Sequence, residues 1–121
     1  MGKKVVVIGA SNKPERYSYR AIEALLKNGH EVIPVNPALK EVQGIKVINK
    51  IADIKEKVDT VSLYVGADRL AQMAEEIVGL KPKRIIANPG AESEVMRKAA
   101  EKNNIEYEEA CTLVLLSTGQ F

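Results

Sequence analysis

The chain has 121 residues, the size of one small domain, with 18 Lys and Arg against 16 Asp and Glu for a net charge of +2. Charged residues make up 28% and are mixed through the chain, which excludes the concentrated basic footprint of a dedicated nucleic-acid binder; four Tyr, one Phe and no Trp also leave few platforms for stacking bases. One cysteine excludes an internal disulfide framework, and no apolar run approaches the ~20 residues of a membrane span.

Val5-Val6-Val7-Ile8 is a continuous β-branched run ending at Gly9, the pattern of a strand buried on both faces of a parallel sheet. Val5 to Ala10 is too short for a secretory core, which needs ~7–15 apolar residues. Tyr19, Ile22, Leu25 and Leu26 recur at helical spacing, and Asn28-Gly29 supplies a stop. Glu31 to Val35 reads as a second strand, ended by Asn36-Pro37. Between 38 and 59, Gly44 to Ile48 suits a short strand, and Ile51, Ile54 and Val58 suit a short helix. Thr60 to Val65 reads as a strand ending at Gly66.

Leu70, Met73, Ala74, Ile77 and Val78 form an amphipathic stripe, closed by Gly79 and Pro82. Arg84 to Ala87 is a further strand, closed by Asn88-Pro89-Gly90. Val95, Met96, Ala99 and Ala100 give the next helical face, with Glu92 and Glu94 near its positive N-terminus. Ile105 to Tyr107 predicts a last strand, and Cys111 to Leu116 a terminal helix. The order β-α-β-(β-α)-β-α-β-α-β-α predicts one doubly wound α/β domain over residues 1–121, a Rossmann-like parallel sheet of about five strands in a three-layer α/β/α stack. Such sheets bind ligands beyond the carboxyl ends of their strands, where strand order reverses.

The first strand is followed by Gly9-Ala10-Ser11-Asn12-Lys13-Pro14-Glu15-Arg16. Gly9 permits a tight turn, and small Ala10 and Ser11 let backbone N–H groups approach an anion ahead of a helix N-terminus. Lys13 and Arg16 add two cations, so the loop reads as a phosphate or diphosphate cradle. The dinucleotide fingerprint would place glycines at 9, 11 and 14, where this chain has Gly9, Ser11 and Pro14. An NAD site carries Asp or Glu at the end of the second strand; here stands Val35-Asn36-Pro37, with Lys40 beyond it. A cation there suits a ligand with an extra ribose phosphate, as in NADP or coenzyme A.

Val7-Ile8-Gly9-Ala10-Ser11-Asn12-Lys13-Pro14-Glu15-Arg16-Tyr17, then Val35-Asn36-Pro37, then Asn88-Pro89-Gly90-Ala91-Glu92, resemble the small CoA-binding domain proteins, which are related to the CoA-binding domain of the succinyl-CoA synthetase alpha subunit. The resemblance covers nearly the whole chain. It implies a Rossmann-like fold with coenzyme A or an acyl-CoA as ligand. It implies that Gly9, Ala10 and Ser11 hold phosphates, that Lys13 and Arg16 supply charge, and that Val35, Asn36, Pro37 and Lys40 line the adenosine side. Val65 and Gly66 would border the nucleotide, and Asn88, Pro89 and Gly90 would lie towards the pantetheine arm. Family members often carry an aromatic residue and a Gln before Pro-Gly-Ala, where this chain has Ala87-Asn88.

Few residues suggest catalysis. His30, the lone histidine, follows a helix stop on the side away from the expected ligand edge, so no Ser/His/Asp triad can be assembled and no metal site is expected. Glu106, Glu108 and Glu109 read as a solvated segment, and Glu92 as a helix N-terminal charge rather than a base. Cys111 reads as a core residue; the sharper alternative is a mixed disulfide with the coenzyme thiol. The expectation is a cytoplasmic, non-catalytic protein that binds coenzyme A as carrier, sensor or partner of a larger enzyme. The alternatives are an NADP-dependent oxidoreductase, a nucleotide-binding subunit of a larger enzyme, and a pure interaction module. Leu113 to Leu116 suits either core or a homodimer face.

Overall fold

A computed structural model describes residues 2–121. Five parallel strands form the central sheet: β1 (Lys4–Ile8), β2 (Glu31–Val35), β5 (Thr60–Leu63), β6 (Arg84–Ala87) and β7 (Glu106–Glu109), in the order β2-β1-β5-β6-β7. Between β2 and β5 lies a small antiparallel ladder of β3 (Glu41–Val42) and β4 (Ile45–Lys46). Pro34 lies within β2, which is tolerable only because β2 is an edge strand. The chain leaves β1 for β2 on one side and returns to β5 on the other, so strand order reverses between β1 and β5.

The register sets the carboxyl ends level. Ile8 pairs with both Val35 and Leu63, Leu63 with Ala87, and Ala87 with Glu109. Gly9, Asn36, Tyr64 and Asn88 therefore begin the next row along one edge of the sheet.

Strand residues alternate between two cores. Val6, Ile8, Val61, Leu63 and Ile85 pack against α2 (Ala67–Gly79) and α3 (Glu94–Lys102) through Leu70, Ile77, Met96 and Ala100. Val5, Val7 and Val32 face Ile22 and Leu25 of α1 (Tyr17–Lys27), with Leu116, beside α1 on α4 (Thr112–Ser117), packed against them. Leu70 and Ile77 are wholly buried, worth roughly 2 kcal/mol each. The three-layer, doubly wound architecture is the one the sequence predicts.

Several local expectations need correction. The short strand expected within Gly44 to Ile48 is β4, and what the sequence did not show is its partner β3, joined to it by Gln43 and Gly44 at positive φ, and the bridge from Ile48 to Val35. The helix expected from Ile51, Ile54 and Val58 is a single 3₁₀ turn, Ile51–Asp53; Ile54 is extended, and all three apolar side chains are buried without further helix. The third long strand stops at Leu63, and the last runs from Glu106 to Glu109 rather than from Ile105 to Tyr107, with Glu106 and Glu109 exposed on this edge strand as a solvated segment requires. Two helical stripes are one residue too wide: Leu26 on α1 and Val95 on α3 are exposed. Cys111 is the half-buried residue preceding α4, not a core residue.

Candidate functional site

Gly9 has φ +92°, and a Cβ there would lie 2.8 Å from the carbonyl oxygen of Tyr64. Handedness and space both require glycine where β1 passes β5. The N–H groups of Gly9 and Ala10 donate to the Val35 carbonyl at 3.1 Å each. The Ser11 hydroxyl accepts the N–H of Lys13 at 3.0 Å, which curls the turn. Among the described residues, no protein acceptor takes the N–H of Ser11 or of Asn12. The loop after β2 is clipped to this turn through Asn36: its Nδ2 donates to the Ala10 carbonyl at 2.9 Å, and its Oδ1 accepts from Ala38 and Leu39. Asn36 therefore shapes the site with its side chain rather than offering a free amide.

These elements wall a cleft of about 490 Å³ running from Pro37 and Leu39 across Gly9 and Ser11 to Tyr64 and Val65. Lys13, Arg16 and Arg69 line it, and none of the three lies within 4 Å of a carboxylate oxygen among the described residues. Neither α1 nor α2, whose N-termini follow this edge, has a side-chain cap; α3 does, through Ser93, whose hydroxyl accepts the Met96 N–H at 3.1 Å. Unengaged N–H groups and unpaired cations around a concave edge form an anion receptor.

The cleft continues. A second hollow of about 260 Å³ shares Gly9, Ser11, Arg16, Tyr64 and Val65 with the first, and extends past Gly66 to Pro89 and Gly90. A third, about 190 Å³ and more enclosed, shares Tyr17, Tyr64 and Pro89 with the second and adds Asn88, Cys111 and Leu113. Below it lies a buried polar network. The Asn88 amide donates to Ser62 Oγ and to the Leu63 carbonyl, each at 2.9 Å, and its Oδ1 accepts the Thr112 N–H at 2.8 Å. Ser62 and Thr112 hydroxyls meet at 2.9 Å. The Tyr64 hydroxyl is sealed above this network without an aligned partner. Burial pushes its phenol up to about 12, against a smaller opposing pull from Ser62 and Thr112. The ionisable side chains of the main cleft are thus three cations and a phenol that stays protonated at neutral pH.

Of the residues the sequence singled out, Gly9, Ala10, Ser11, Lys13, Arg16, Val35, Asn36, Pro37 and Val65 come together in the main cleft. Gly66, Pro89 and Gly90 lie along its continuation. Asn88 lines the end cavity, with its amide committed internally. Lys40 is not brought in: it sits exposed on the adjoining loop, its carbonyl accepting the Val47 N–H. Glu92 accepts the Gly90 N–H and so closes that turn; the α3 cap is Ser93, which corrects the expected helix role. His30 lies at the opposite edge, its Nδ1 accepting the Lys3 N–H at 3.0 Å. Sequence reading missed Arg69, Met73, Tyr64 and Tyr17. The sequence carries no local signal for them, because they reach the cleft only through the packing of the elements that carry them.

A further hollow, about 580 Å³, is an open groove along the outer side of β2 near Leu26, His30 and Ile45, away from these donors. Among the described residues no group of three metal-ligating side chains occurs, and no helix is long and apolar enough to cross a membrane.

The profile of the CoA binding domain matches residues 3–117. The chain is 33% identical over 76 residues to the uncharacterized protein YneT of Bacillus subtilis, covering 63% of this chain and 56% of YneT. It is 32% identical over 105 residues to the alpha subunit of an ADP-forming acetate–CoA ligase II of Pyrococcus furiosus, covering 84% of this chain and 23% of that subunit. The chain thus spans from about a quarter to about half of these relatives. A crystal structure of an uncharacterized protein superposes with a TM-score of 0.94 at 43% identity, covering 100% of this chain and 99% of the other.

Proposed function

The chain belongs to the CoA binding domain family, and from that premise we propose that it binds coenzyme A or an acyl-CoA along the carboxyl edge of its sheet, as a non-catalytic carrier, sensor or partner of a larger enzyme. The observation that carries the reading is the anion receptor of the main cleft: unengaged N–H groups of Ser11 and Asn12 beside unpaired Lys13, Arg16 and Arg69. In this reading the Gly9–Lys13 turn and Arg16 hold the diphosphate. Val35, Asn36 and Pro37 carry the adenosine, with Lys40 on the rim. Val65 and Gly66 border the middle of the ligand, and the wall from Asn88 to Gly90 faces the pantetheine arm. The donor set fits the coenzyme, which is anionic at one end and uncharged along its arm.

The non-catalytic part of the proposal starts from the ionisable side chains that line the main cleft, Lys13, Arg16, Arg69 and Tyr64, of which burial holds the Tyr64 phenol protonated at neutral pH. The partner part is supported by the ligase alpha subunit, about a quarter of which this chain matches. The proposal treats residues 1–121 as one coenzyme-binding unit in the cytoplasm.

Thermal unfolding with CoA, acetyl-CoA, NADPH, NADH and ATP tests it. A ligand that binds only the native state stabilises by about 2.7 kcal/mol at a hundred times its Kd. The expected result is a raised Tm with CoA or acetyl-CoA and none with NADPH. A shift with NADPH and none with CoA would establish the oxidoreductase alternative instead.

A further inference from the structure

The cavity between Tyr17, Tyr64, Pro89, Cys111 and Leu113 lies beyond the anion receptor and has no role in holding phosphates. We infer that it seats the thiol end of the coenzyme together with a short acyl group, so that the ligand class is short-chain acyl-CoA and Tyr17, Tyr64 and Leu113 set the limit on chain length. This rests on the coenzyme reading above and deepens it.

Continuity comes first. The three hollows share walls in sequence, through Gly9 and Arg16 and then through Tyr17 and Pro89, so one extended ligand can pass along all of them. From the proposed diphosphate turn at the end of β1 to the end of β6 is two strand intervals, roughly 10 Å at ~4.8 Å each, a span within the reach of a pantetheine arm. The chemistry changes along that path in the same sense as the ligand. Cations and free N–H groups stand at the β1–β2 end; rings, Pro89, Leu113 and a sulfur stand at the other.

Size sets the class. A cavity of about 190 Å³ holds about six water-sized groups at roughly 30 Å³ each. That admits a terminal ethylene, the sulfur and an acyl group of two or three carbons, but not an eight-carbon chain. The walls do not yield readily. The Asn88 network ties the ends of β5 and β6 to the start of α4 beneath the cavity, and each of its buried bonds costs stability to break.

Calorimetric titration of the full chain with CoA, acetyl-CoA, butyryl-CoA and octanoyl-CoA tests the limit. Acetyl-CoA is expected to bind at least as tightly as CoA, butyryl-CoA no tighter than acetyl-CoA, and octanoyl-CoA about tenfold more weakly than CoA, because a chain longer than the cavity cannot seat without displacing its walls. Leu113→Ala is expected to recover most of the octanoyl loss. Equal affinity across the series, with CoA still bound, overturns the chain-length inference and leaves the coenzyme reading intact; no binding by any of the four removes that reading itself.

A proximity measurement stands independently of folding effects in the variant. Cys111 thiolate attacking one sulfur of CoA disulfide forms a new S–S bond, breaks the old one and releases CoA thiolate. Mass spectrometry should find the CoA adduct forming about tenfold faster than the glutathione adduct from glutathione disulfide at equal concentration. Equal rates would place the thiol end away from Cys111 and overturn the assignment.

Discussion

The two edges of the sheet are made from the same five strands but treat their polar groups in opposite ways. At the amino edge, Lys3 donates its N–H to His30, the Phe121 ring meets His30 edge-on at 5.0 Å and lies 4.7 Å below the Arg84 guanidinium, and Lys4 bridges Glu31 and Glu56. At the carboxyl edge, among the described residues, Lys13, Arg16 and Arg69 stand without carboxylates, two turn N–H groups have no protein acceptor, and α1 and α2 have no side-chain cap. Charges that satisfy one another stabilise the fold and leave little for a ligand. Charges left to water confer little stability, but they bind an anion with modest reorganisation. The difference sets a structural edge against the edge proposed to bind.

Substitutions should break this contrast in a definite order. Asn88→Ala leaves the Leu63 carbonyl, the Thr112 N–H and the Ser62 hydroxyl each short of a partner, and should cost about 3 kcal/mol in urea unfolding. Gly9→Ala combines a positive φ with a 2.8 Å approach to backbone, so about 2 kcal/mol of stability and most of the coenzyme affinity should be lost together. Arg16→Ala and Lys13→Ala should each weaken coenzyme A by about tenfold at low salt, and by less at high salt, with an unchanged Tm without ligand. That result would sharpen the contrast, since cations of the amino edge should show the reverse: a lower Tm and no effect on binding.

The smallest effect belongs to His30. Burial, and then the Lys3 charge, hold its imidazole below the ordinary 6.5. The unfolded chain therefore takes up a proton near pH 6.5 that the folded chain resists, and protonation would also remove the acceptor for Lys3. Stability should be full above pH 6.5 and fall as pH drops below it. Urea midpoints at pH 7.5 and 5.5 check this. His30→Gln should flatten the difference, and coenzyme affinity should not follow it.

Much of this was legible in the sequence because period and punctuation agreed. The β-branched run Val5–Ile8 and the apolar run Val32–Val35, interrupted only by Pro34, are followed by a glycine and by Asn-Pro, and so locate both the strands and their carboxyl ends. The 38–59 segment was illegible for a physical reason: its strands are two residues long, and Ile51, Ile54 and Val58 bury themselves from a mostly extended path that carries no helical period. In the site, the turn could be read from Gly9, Ser11 and Lys13 because all the determinants are local. Arg69 and Tyr64 could not, since they face the cleft only once β5 is set beside β1. The committed state of Asn36 and Asn88 was equally hidden, because their partners are distant in sequence.

Amide shifts on adding coenzyme A, read by two-dimensional NMR on the labelled chain, test the binding edge most directly. The account predicts the largest shifts at Ser11 and Asn12, at the first turns of α1 and α2, and at Gly90, with His30, Phe121 and the other groups of the amino edge unmoved. Shifts centred on the amino edge or on the groove along β2, or none at all with coenzyme in excess, would contradict it.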